Sequence, residues 1–564
     1  MKKKIDKTLS LLTQKNKIDI LFIIFLSIIK AFIEIVGIGL LIPILGFISS
    51  EQKKNEIIEY LPILKDYTDK EVILIFIVVF LIIYLLKTLF VIFFNSYNAR
   101  HAQNLYVEIG NKLLKKYLDN NFLFFVQNNS AKLIRNIASE VNLLASGIIM
   151  NSISLLSNLI LFFGVCILLF SYNHYTVFVI LILLIVSIIV VRSNNKILMK
   201  WSEVRNVESA RFIQKLNEVF GSIKEVILYN KSSFFSQQVY KSLRNFADSS
   251  LYRDIYTAIS SPLIEFVGIL IIFIFYFYLN FILKIELSEI FVILGVFAFA
   301  SVRLLPNLIA VVRSYQSIKF NYPAIDNVYS ELGKGINFNQ KFKRIDEINR
   351  INFKNVSFKY PNTSEDILKS VNFLFKKGDK IGIVGETGSG KTTLINLISG
   401  LLKPTKGKVG INTINEIDFD KYKLNIGYVS QSVYLSDDSI YFNISLNENN
   451  SKKDRDRIKN LLGIMNLNKF KKNSKLSIGE RGSKISGGQI QRIGIARALF
   501  QKPSMLILDE ATSALDEKTE RKILKYLFQN FKESIIILCT HKKKLLRYCN
   551  KVINVKAGRI KFLK

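Results

Sequence analysis

Histidine and cysteine are scarce in this chain, at three each in 564 residues. So few histidines make a histidine-based metal site an unpromising reading. Cys166, Cys539 and Cys549 lie far apart and lack metal-ligand spacing, so they imply neither a disulfide framework nor a zinc site. Acidic residues are in deficit too. Asp and Glu number 44 against 78 Lys and Arg, a formal charge of +34. Taken alone, that excess points to nucleic acid or an anionic membrane surface.

What the chain has is apolarity. Half of it is hydrophobic, and its mean hydropathy is +0.27. Charge is still common, so the two are segregated along the sequence. Six apolar segments occupy residues 18–48, 72–94, 143–171, 175–191, 258–279 and 288–312. A 23-residue helix is about 34 Å long and covers a hydrocarbon core of about 30 Å. Val177–Val191 carries no charge at all, which argues against buried helices of a large soluble domain. The first segment is too long for a signal peptide, lacks a small-residue cleavage pattern and is followed by five more. A multi-pass membrane protein is expected.

Lysine and arginine in the connections set the orientation. The N-terminus carries Lys2, Lys3, Lys4, Lys7, Lys15 and Lys17. The 95–142 connection carries six basic residues and the 192–257 connection eleven. On the other side, Ser171–His174 has none, Asn280–Glu289 has only Lys284, and Ser49–Glu71 sets four lysines against six acids. Both termini are therefore expected in the cytoplasm. The same asymmetry accounts for much of the +34, and no nucleic-acid partner is expected. Asn95–Leu118 and Arg192–Phe220 continue their spans without a helix breaker, as long helices reaching beyond the bilayer. Phe122–Asn129 and Ile223–Asn230 are short apolar-rich turns suited to docking on a cytoplasmic domain. In the first outer loop, Ile57, Ile58, Leu61 and Leu64 have helical spacing, which fits a surface helix as well as an ordinary loop.

Five ionisable residues lie inside the spans: Lys30, Glu34, Lys87, Glu265 and Arg303. Each costs roughly 2.5–3.5 kcal/mol at a helix centre on insertion scales. Lys30 and Glu34 are spaced i,i+4 and neutralise each other. Lys87 and Arg303 have no such local partner. Both fall at similar depth in the cytoplasmic half, as does Glu265. A cavity with facing cations suits an anionic headgroup such as a phosphate. Snorkelling to the inner interface, or a pair with Glu265, is the structural alternative. Pro306, three residues after Arg303, is placed to bend the sixth span.

The sixth span extends as a helix to about Leu332, and Gly333–Asn349 is polar and lysine-rich. The chain thus divides into a membrane α-helical domain at 1–332, a linker at 333–348 and an α/β P-loop ATPase domain at 349–564. In the latter, Lys380–Val384 reads as a buried strand and Leu394–Ile398 as the apolar stripe of a helix. Between them stands Gly385-Glu386-Thr387-Gly388-Ser389-Gly390-Lys391-Thr392-Thr393. Strand, glycine loop and helix in that order make G-x-x-x-x-G-K-[ST] a phosphate-binding loop. Glycines let the backbone wrap around phosphate oxygens, and bare N–H groups at the helix start point at them. Lys391 reaches the β- and γ-phosphates, and the Thr392 hydroxyl holds Mg²⁺. Tyr360, closing the Phe358-Lys359-Tyr360 strand, is placed to stack on adenine. Met505–Glu510 is an apolar strand ending in two acids. Asp509 is placed to hold Mg²⁺, directly or through water, and Glu510 to polarise the attacking water. ATP and Mg²⁺ are the expected cofactors.

Ile485-Ser486-Gly487-Gly488-Gln489 resembles the signature motif of ABC ATPases. Tyr428-Val429-Ser430-Gln431 resembles their Q-loop, Ser513-Ala514-Leu515-Asp516 their D-loop, and His541, after a β run, their switch histidine. Gly479-Glu480-Arg481-Gly482 resembles a further motif of exporters. Ile485 stands where the family has leucine, and Lys542-Lys543-Lys544 where exporters carry Arg-Leu-Ser. The resemblance implies catalytic roles for Gln431 and His541 beside Glu510, with Gln431 also reaching Mg²⁺. It implies two copies that sandwich two ATPs. Ser486, Gly487, Gly488 and Gln489 of one copy would meet the nucleotide held by the other's phosphate loop. One set of motifs per chain implies a homodimer.

Six spans followed by one nucleotide domain resemble an ABC exporter half-transporter. Phe32-Ile33-Glu34, Arg303-Leu304-Leu305-Pro306 with Arg313-Ser314-Tyr315, and the tail of the nucleotide domain resemble PglK-type flippases of lipid-linked oligosaccharides. Lys87 stands where that family has a basic residue in span two. The implied substrate is a membrane lipid with a diphosphate between its polyprenyl chain and its glycan. The implied reaction is its ATP-driven movement from the cytoplasmic to the outer leaflet of the inner membrane, ahead of protein glycosylation. Lys87 and Arg303 are the candidate substrate residues. Export of another amphiphile (glycolipid, drug or peptide) is the alternative. No peptidase domain precedes the first span, which argues against the leader-cleaving peptide exporters.

Overall fold

The computed structural model describes residues 2–39, 47, 55, 57–59, 62, 66–172, 176–284, 287–333, 342–361, 363–471, 477–479 and 482–564. Most of the first outer loop, much of the 333–348 linker, Glu480, Arg481 and the side chain of Arg303 lie outside the described residues. Two compact units emerge, Met1–Asn120 with Asn128–Phe338, and Asn121–Gln127 with Asn339–Lys564.

The first unit is helical. It contains α1 (Lys2–Leu11), α2 (Gln14–Gly39) and α3 (Asp69–Asp119). After α4 (Phe122–Gln127), which belongs to the second unit, come α5 (Ser130–Ser171), α6 (Thr176–Gly221), α7 (Ile223–Leu228) and α8 (Ser232–Ile282). The unit closes with α9 (Leu287–Phe320) and α10 (Tyr322–Leu332). Among the described residues five helices, α2, α3, α5, α6 and α8, are long and apolar enough to cross a membrane. The 34-residue α9 holds the sixth apolar segment.

Helix α3 runs unbroken for 51 residues, about 76 Å at 1.5 Å per residue, so the second span and its extension are one rod. A capping box closes its start, with the Thr68 N–H donating to Glu71 Oε2 at 2.8 Å. Its apolar residues turn outward: Leu81 is 59% exposed and Leu85 62%. Water would punish that surface, whereas lipid accepts it. Inward-facing Phe162, Val165, Leu169, Ile264 and Leu279 build the core of this unit.

Two polar devices pin the helices. Glu140, fully buried on α5, takes the Arg205 guanidinium of α6 at 3.3 Å and the Asn327 amide of α10 at 3.0 Å. At the other, Lys4 and Lys7 of α1 pair with Asp326 of α10. Lys87 lies beside charges carried by another helix. It is buried on α3 against the Tyr84 ring, and its electrostatic neighbours are Glu34 and Lys30 of α2. Spacing within one helix cannot reveal a neighbour supplied by another.

The second unit is built on a six-stranded sheet. Its strands are β1 (Lys343–Ile345), β2 (Arg350–Phe358), β3 (Leu368–Lys376), β4 (Lys380–Gly385), β5 (Lys406–Ile411), β6 (Tyr422–Leu424), β7 (Ile426–Val429), β8 (Met505–Asp509), β9 (Ile535–Cys539), β10 (Lys551–Lys556) and β11 (Arg559–Phe562). The main sheet runs β11-β10-β4-β9-β8-β7, all parallel except β11. Strands β8 and β9 are buried throughout, which is why they read as unbroken apolar runs. An antiparallel sheet, β3-β2-β5, packs the stacked rings of Phe353, Phe373 and Phe375 into the same core. Because β1 pairs with β6, the second unit starts before residue 349, inside the expected linker. Leu123 of α4 packs against this core. Helices α11 (Lys391–Ile398), α12 (Ile440–Ser445), α13 (Lys452–Ile464), α14 (Gly487–Phe500) and α15 (Glu517–Asn530) complete the unit.

Candidate functional site

Parallel strands present all their carboxyl ends on one edge, which is where ligands bind in such sheets. The order β4-β9-β8-β7 therefore sets four segments side by side there. These are the glycine loop after β4, His541 after β9, Asp509 and Glu510 at the end of β8, and Gln431 after β7.

The glycine loop runs from β4 into α11. Gly385, Gly388 and Gly390 have φ of +153°, +80° and +104°. Gly390 sits at the N-cap of α11. A Cβ there would lie 3.1 Å from Leu368 Cδ2 and 3.2 Å from the Ile367 carbonyl, so a side chain would be strained by the backbone angle and tightly crowded. Lys391 Nζ folds over the loop, donating to the carbonyls of Gly385 at 2.7 Å and Glu386 at 2.8 Å. Thr392 is exposed, whereas Thr393 is buried with its hydroxyl 3.5 Å from that of Tyr360. The half-buried Tyr360 ring stands edge-on to Phe358. The Ser389 hydroxyl oxygen is buried and, among the described residues, has no hydrogen-bond partner.

Glu510 is gripped from both sides. Gln431 Nε2 donates to its Oε2 at 2.9 Å, and His541 Nε2 lies 3.0 Å from its Oε1. Its φ is +49°, a left-handed conformation that costs a non-glycine residue about 1–3 kcal/mol. Burial pushes the neighbouring Asp509 carboxyl above the usual carboxylate range. The Glu510 charge adds to that, while hydrogen bonds from Cys539 and Tyr428 and the Lys391 charge oppose it. The Tyr428 hydroxyl and the Cys539 thiol are each pushed up to about 12, chiefly by burial. Sequence reasoning assigned neither of them a role. Cys539 stands opposite Asp509 in the parallel ladder, a pairing set by sheet register.

The signature run lies elsewhere on the domain. Ser486 caps α14, its N–H donating to Gln489 Oε1 at 3.2 Å, and Ser486 and Gly487 face solvent. A Cβ on Gly488 would come within 2.9 Å of the Ala514 carbonyl. Gln491 on α14 binds Ser513 Oγ and the Ala514 N–H, each at 2.9 Å, so the signature and the segment after Glu510 are one piece. Among the described residues, no hydrogen bond or ion pair joins Ser486–Gln489 to the chain's own glycine loop.

This geometry suits a magnesium nucleotide. Thr392, Gln431 and Asp509 offer hard oxygen donors. The unpartnered Ser389 hydroxyl points to a ligand inside the loop. Among the described residues, no group of three His, Cys, Asp or Glu could hold a metal on protein ligands alone. A cation here would share phosphate and water oxygens.

Fold and site define an apolar helical domain of exporter type joined to a P-loop nucleotide-binding domain. Residues 20–303 match the ABC transporter transmembrane region and residues 368–513 the ABC transporter family. The chain belongs to the ABC transporter family, as an exporter half-transporter. It is 34% identical over 217 residues to an ATP-dependent lipid A-core flippase of Bordetella avium, covering 37% of this chain and 36% of the flippase. The match thus spans about a third of that relative's length. It is 24% identical over 495 residues to the subtilin transport ATP-binding protein SpaT of Bacillus subtilis, covering 82% of this chain and 78% of that one. A bacterial Atm1-family ABC exporter with ATP bound shares the fold, with a TM-score of 0.75 at 17% identity, covering 97% and 94% of the two chains.

Proposed function

We propose that the protein is an ATP-driven flippase, working as a homodimer, that moves a polyprenyl-diphosphate-linked oligosaccharide from the cytoplasmic to the outer leaflet of the inner membrane. The observation that carries the ATPase is the Glu510 carboxylate held between Gln431 and His541 at the strand ends. Lys391 neutralises phosphate charge, and the N–H groups opening α11 donate to phosphate oxygens. Glu510 takes a proton from the attacking water, with His541 and Gln431 fixing its orientation. Thr392, Gln431 and Asp509 would hold Mg²⁺, which when bound offsets charge on the β- and γ-phosphate oxygens.

Two surfaces support a second copy. Ser486 and Gly487 face solvent rather than their own glycine loop. The end of helix α7 and the residue after it present Ile227, Leu228 and Tyr229 at 67%, 79% and 70% exposure, an apolar tip. Helix α4, between α3 and α5 in sequence yet packed within the nucleotide unit, is suited to pass domain closure to the spans. Both termini and the nucleotide domain are assigned to the cytoplasm by the basic excess of the connections.

A cavity of ≈ 550 Å³ between α8 and α9 supports an anionic headgroup. Arg253, Ser261, Glu265, Arg313 and Ser314 line it, and Arg313 Nη2 donates to Ser261 Oγ at 2.6 Å. Pro262 and Pro306 lie inside the two helices beside it, where each removes one backbone hydrogen-bond donor. Lys87 and Arg303 remain the candidate headgroup contacts on the resemblance to PglK-type flippases. Relatives named for lipid A-core and for subtilin support the alternative of another amphiphile. Proteoliposomes loaded with labelled polyprenyl-diphosphate glycan, with a glycolipid lacking the diphosphate alongside, test the reading. ATP-dependent flipping is expected for the first lipid only, and is reduced in Arg313→Ala. Equal flipping of both lipids would refute the headgroup assignment.

A further inference from the structure

His541 meets Glu510 from an exposed loop. Strand β9 ends at Cys539, and the His541 side chain is 56% exposed. An imidazole so placed stays on target only if its loop is tied down. The next residue, Lys542, supplies the tie. Its Nζ donates to Glu520 Oε1 at 2.8 Å and to the Thr512 carbonyl at 3.4 Å, while its N–H donates to Thr540 Oγ1 at 3.1 Å. Thr512 lies two residues after Glu510, and Glu520 lies in the first turn of α15, just past the Ser513–Asp516 segment.

The pair is strongly constrained. Glu520 is 3% exposed, and among the described residues Lys542 is the cation that pairs with it. A buried carboxylate without a partner is costly, so Glu520 holds Lys542 and Lys542 holds the loop. The Glu510–Thr512 and Cys539–Lys542 stretches are then joined at three points. These are the Glu510 N–H to the Cys539 carbonyl at 3.1 Å, His541 to Glu510, and Lys542 to Thr512.

We propose that Lys542 is a positioning residue for ATP hydrolysis. Through Glu520 and Thr512 it ties the His541 loop to the segment that follows Glu510, so that the imidazole moves with that segment. The role rests on the reading of Glu510 and His541 as the hydrolytic pair.

The test uses the full chain in detergent, measuring ATP turnover and thermal unfolding of Lys542→Met, Lys542→Arg and Lys542→Met/Glu520→Leu, with Glu510→Gln alongside. Lys542→Met is expected to lower kcat by about 10–100-fold, the scale of a misplaced catalytic group, with little change in KM for ATP. Lys542→Arg keeps the cation and restores most of kcat. The double variant removes both charges, so it recovers the unfolding temperature lost by the single one while kcat stays low. A kcat that recovers together with stability would make the pair merely structural and overturn the proposal, as would full turnover in Lys542→Met. If Glu510→Gln is inactive while Lys542→Met is fully active, only the positioning role fails. Wild-type turnover in Glu510→Gln sinks both.

Discussion

His541 Nε2 lies 3.0 Å from Glu510 Oε1, because β9 lies beside β8 and delivers the histidine alongside the acid. The other carboxylate oxygen is held by Gln431 from β7, so the acid is oriented from both flanking strands.

Glu510→Gln keeps the size of the side chain and removes the base. ATP turnover is expected to fall by about 10²–10⁴-fold while nucleotide binding persists. Phosphate release and equilibrium binding of a fluorescent ATP analogue check this. A variant that turns over normally removes Glu510 from the chemistry.

Gly390→Ala places a methyl group at φ +104°, against Leu368 and the Ile367 carbonyl. The left-handed backbone alone costs about 1–2 kcal/mol with a Cβ. Weaker nucleotide binding is expected by titration calorimetry. Gly388→Ala, where a Cβ meets nothing within 4 Å, should be milder.

Glu140→Ala leaves the buried Arg205 guanidinium without its carboxylate. Removing one partner of a buried ion pair costs about 3–5 kcal/mol. A clear drop in the unfolding temperature of the purified protein is expected, and an unchanged melt would deny the network its structural role.

Lys87→Met removes a buried cation that has the Glu34 carboxylate among its electrostatic neighbours. Lower thermal stability is expected, recovered in Lys87→Met/Glu34→Gln. Transport then separates packing from substrate contact. If Lys87 touches the headgroup, the recovered double variant still flips poorly.

Asp516 accepts the Thr519 N–H at 2.9 Å, and that hydrogen bond first of all holds its carboxyl below the usual range. A depressed carboxylate contributes stability above its ordinary range and loses it as pH falls through the lowered value. Asp516→Ala should therefore melt below wild type at neutral pH. The gap should close as the buffer is taken below the ordinary carboxylate range.

Much of this was legible in residue order. The charge-free run Val177–Val191 could only be membrane or deep core, and α6 contains it. The absence of a breaker from Asn95 to Leu118 foretold one rod, and α3 is that rod. The G-x-x-x-x-G-K-T run identified its loop because the chemistry is local: glycine angles, a helix start and one lysine within nine residues. The surroundings of Lys87 were not legible, because Glu34 comes from another helix. Nor was Lys542, whose exposed position hides a contact with a buried acid on α15.

By itself the sequence determined the six apolar segments, the phosphate loop, the acidic strand end and the signature, since each is a pattern of neighbouring residues. Only the tertiary structure decided how they meet. In the chain Gln431 precedes Glu510, and His541 comes last. In the sheet the order is glycine loop, His541, Glu510, Gln431. The crossover connections insert β9 between β4 and β8, and parallel strands bring their carboxyl ends to one edge. No pattern of neighbours encodes that insertion. It follows from burying β8 and β9 inside the sheet, each between two other strands, where their apolar runs are shielded.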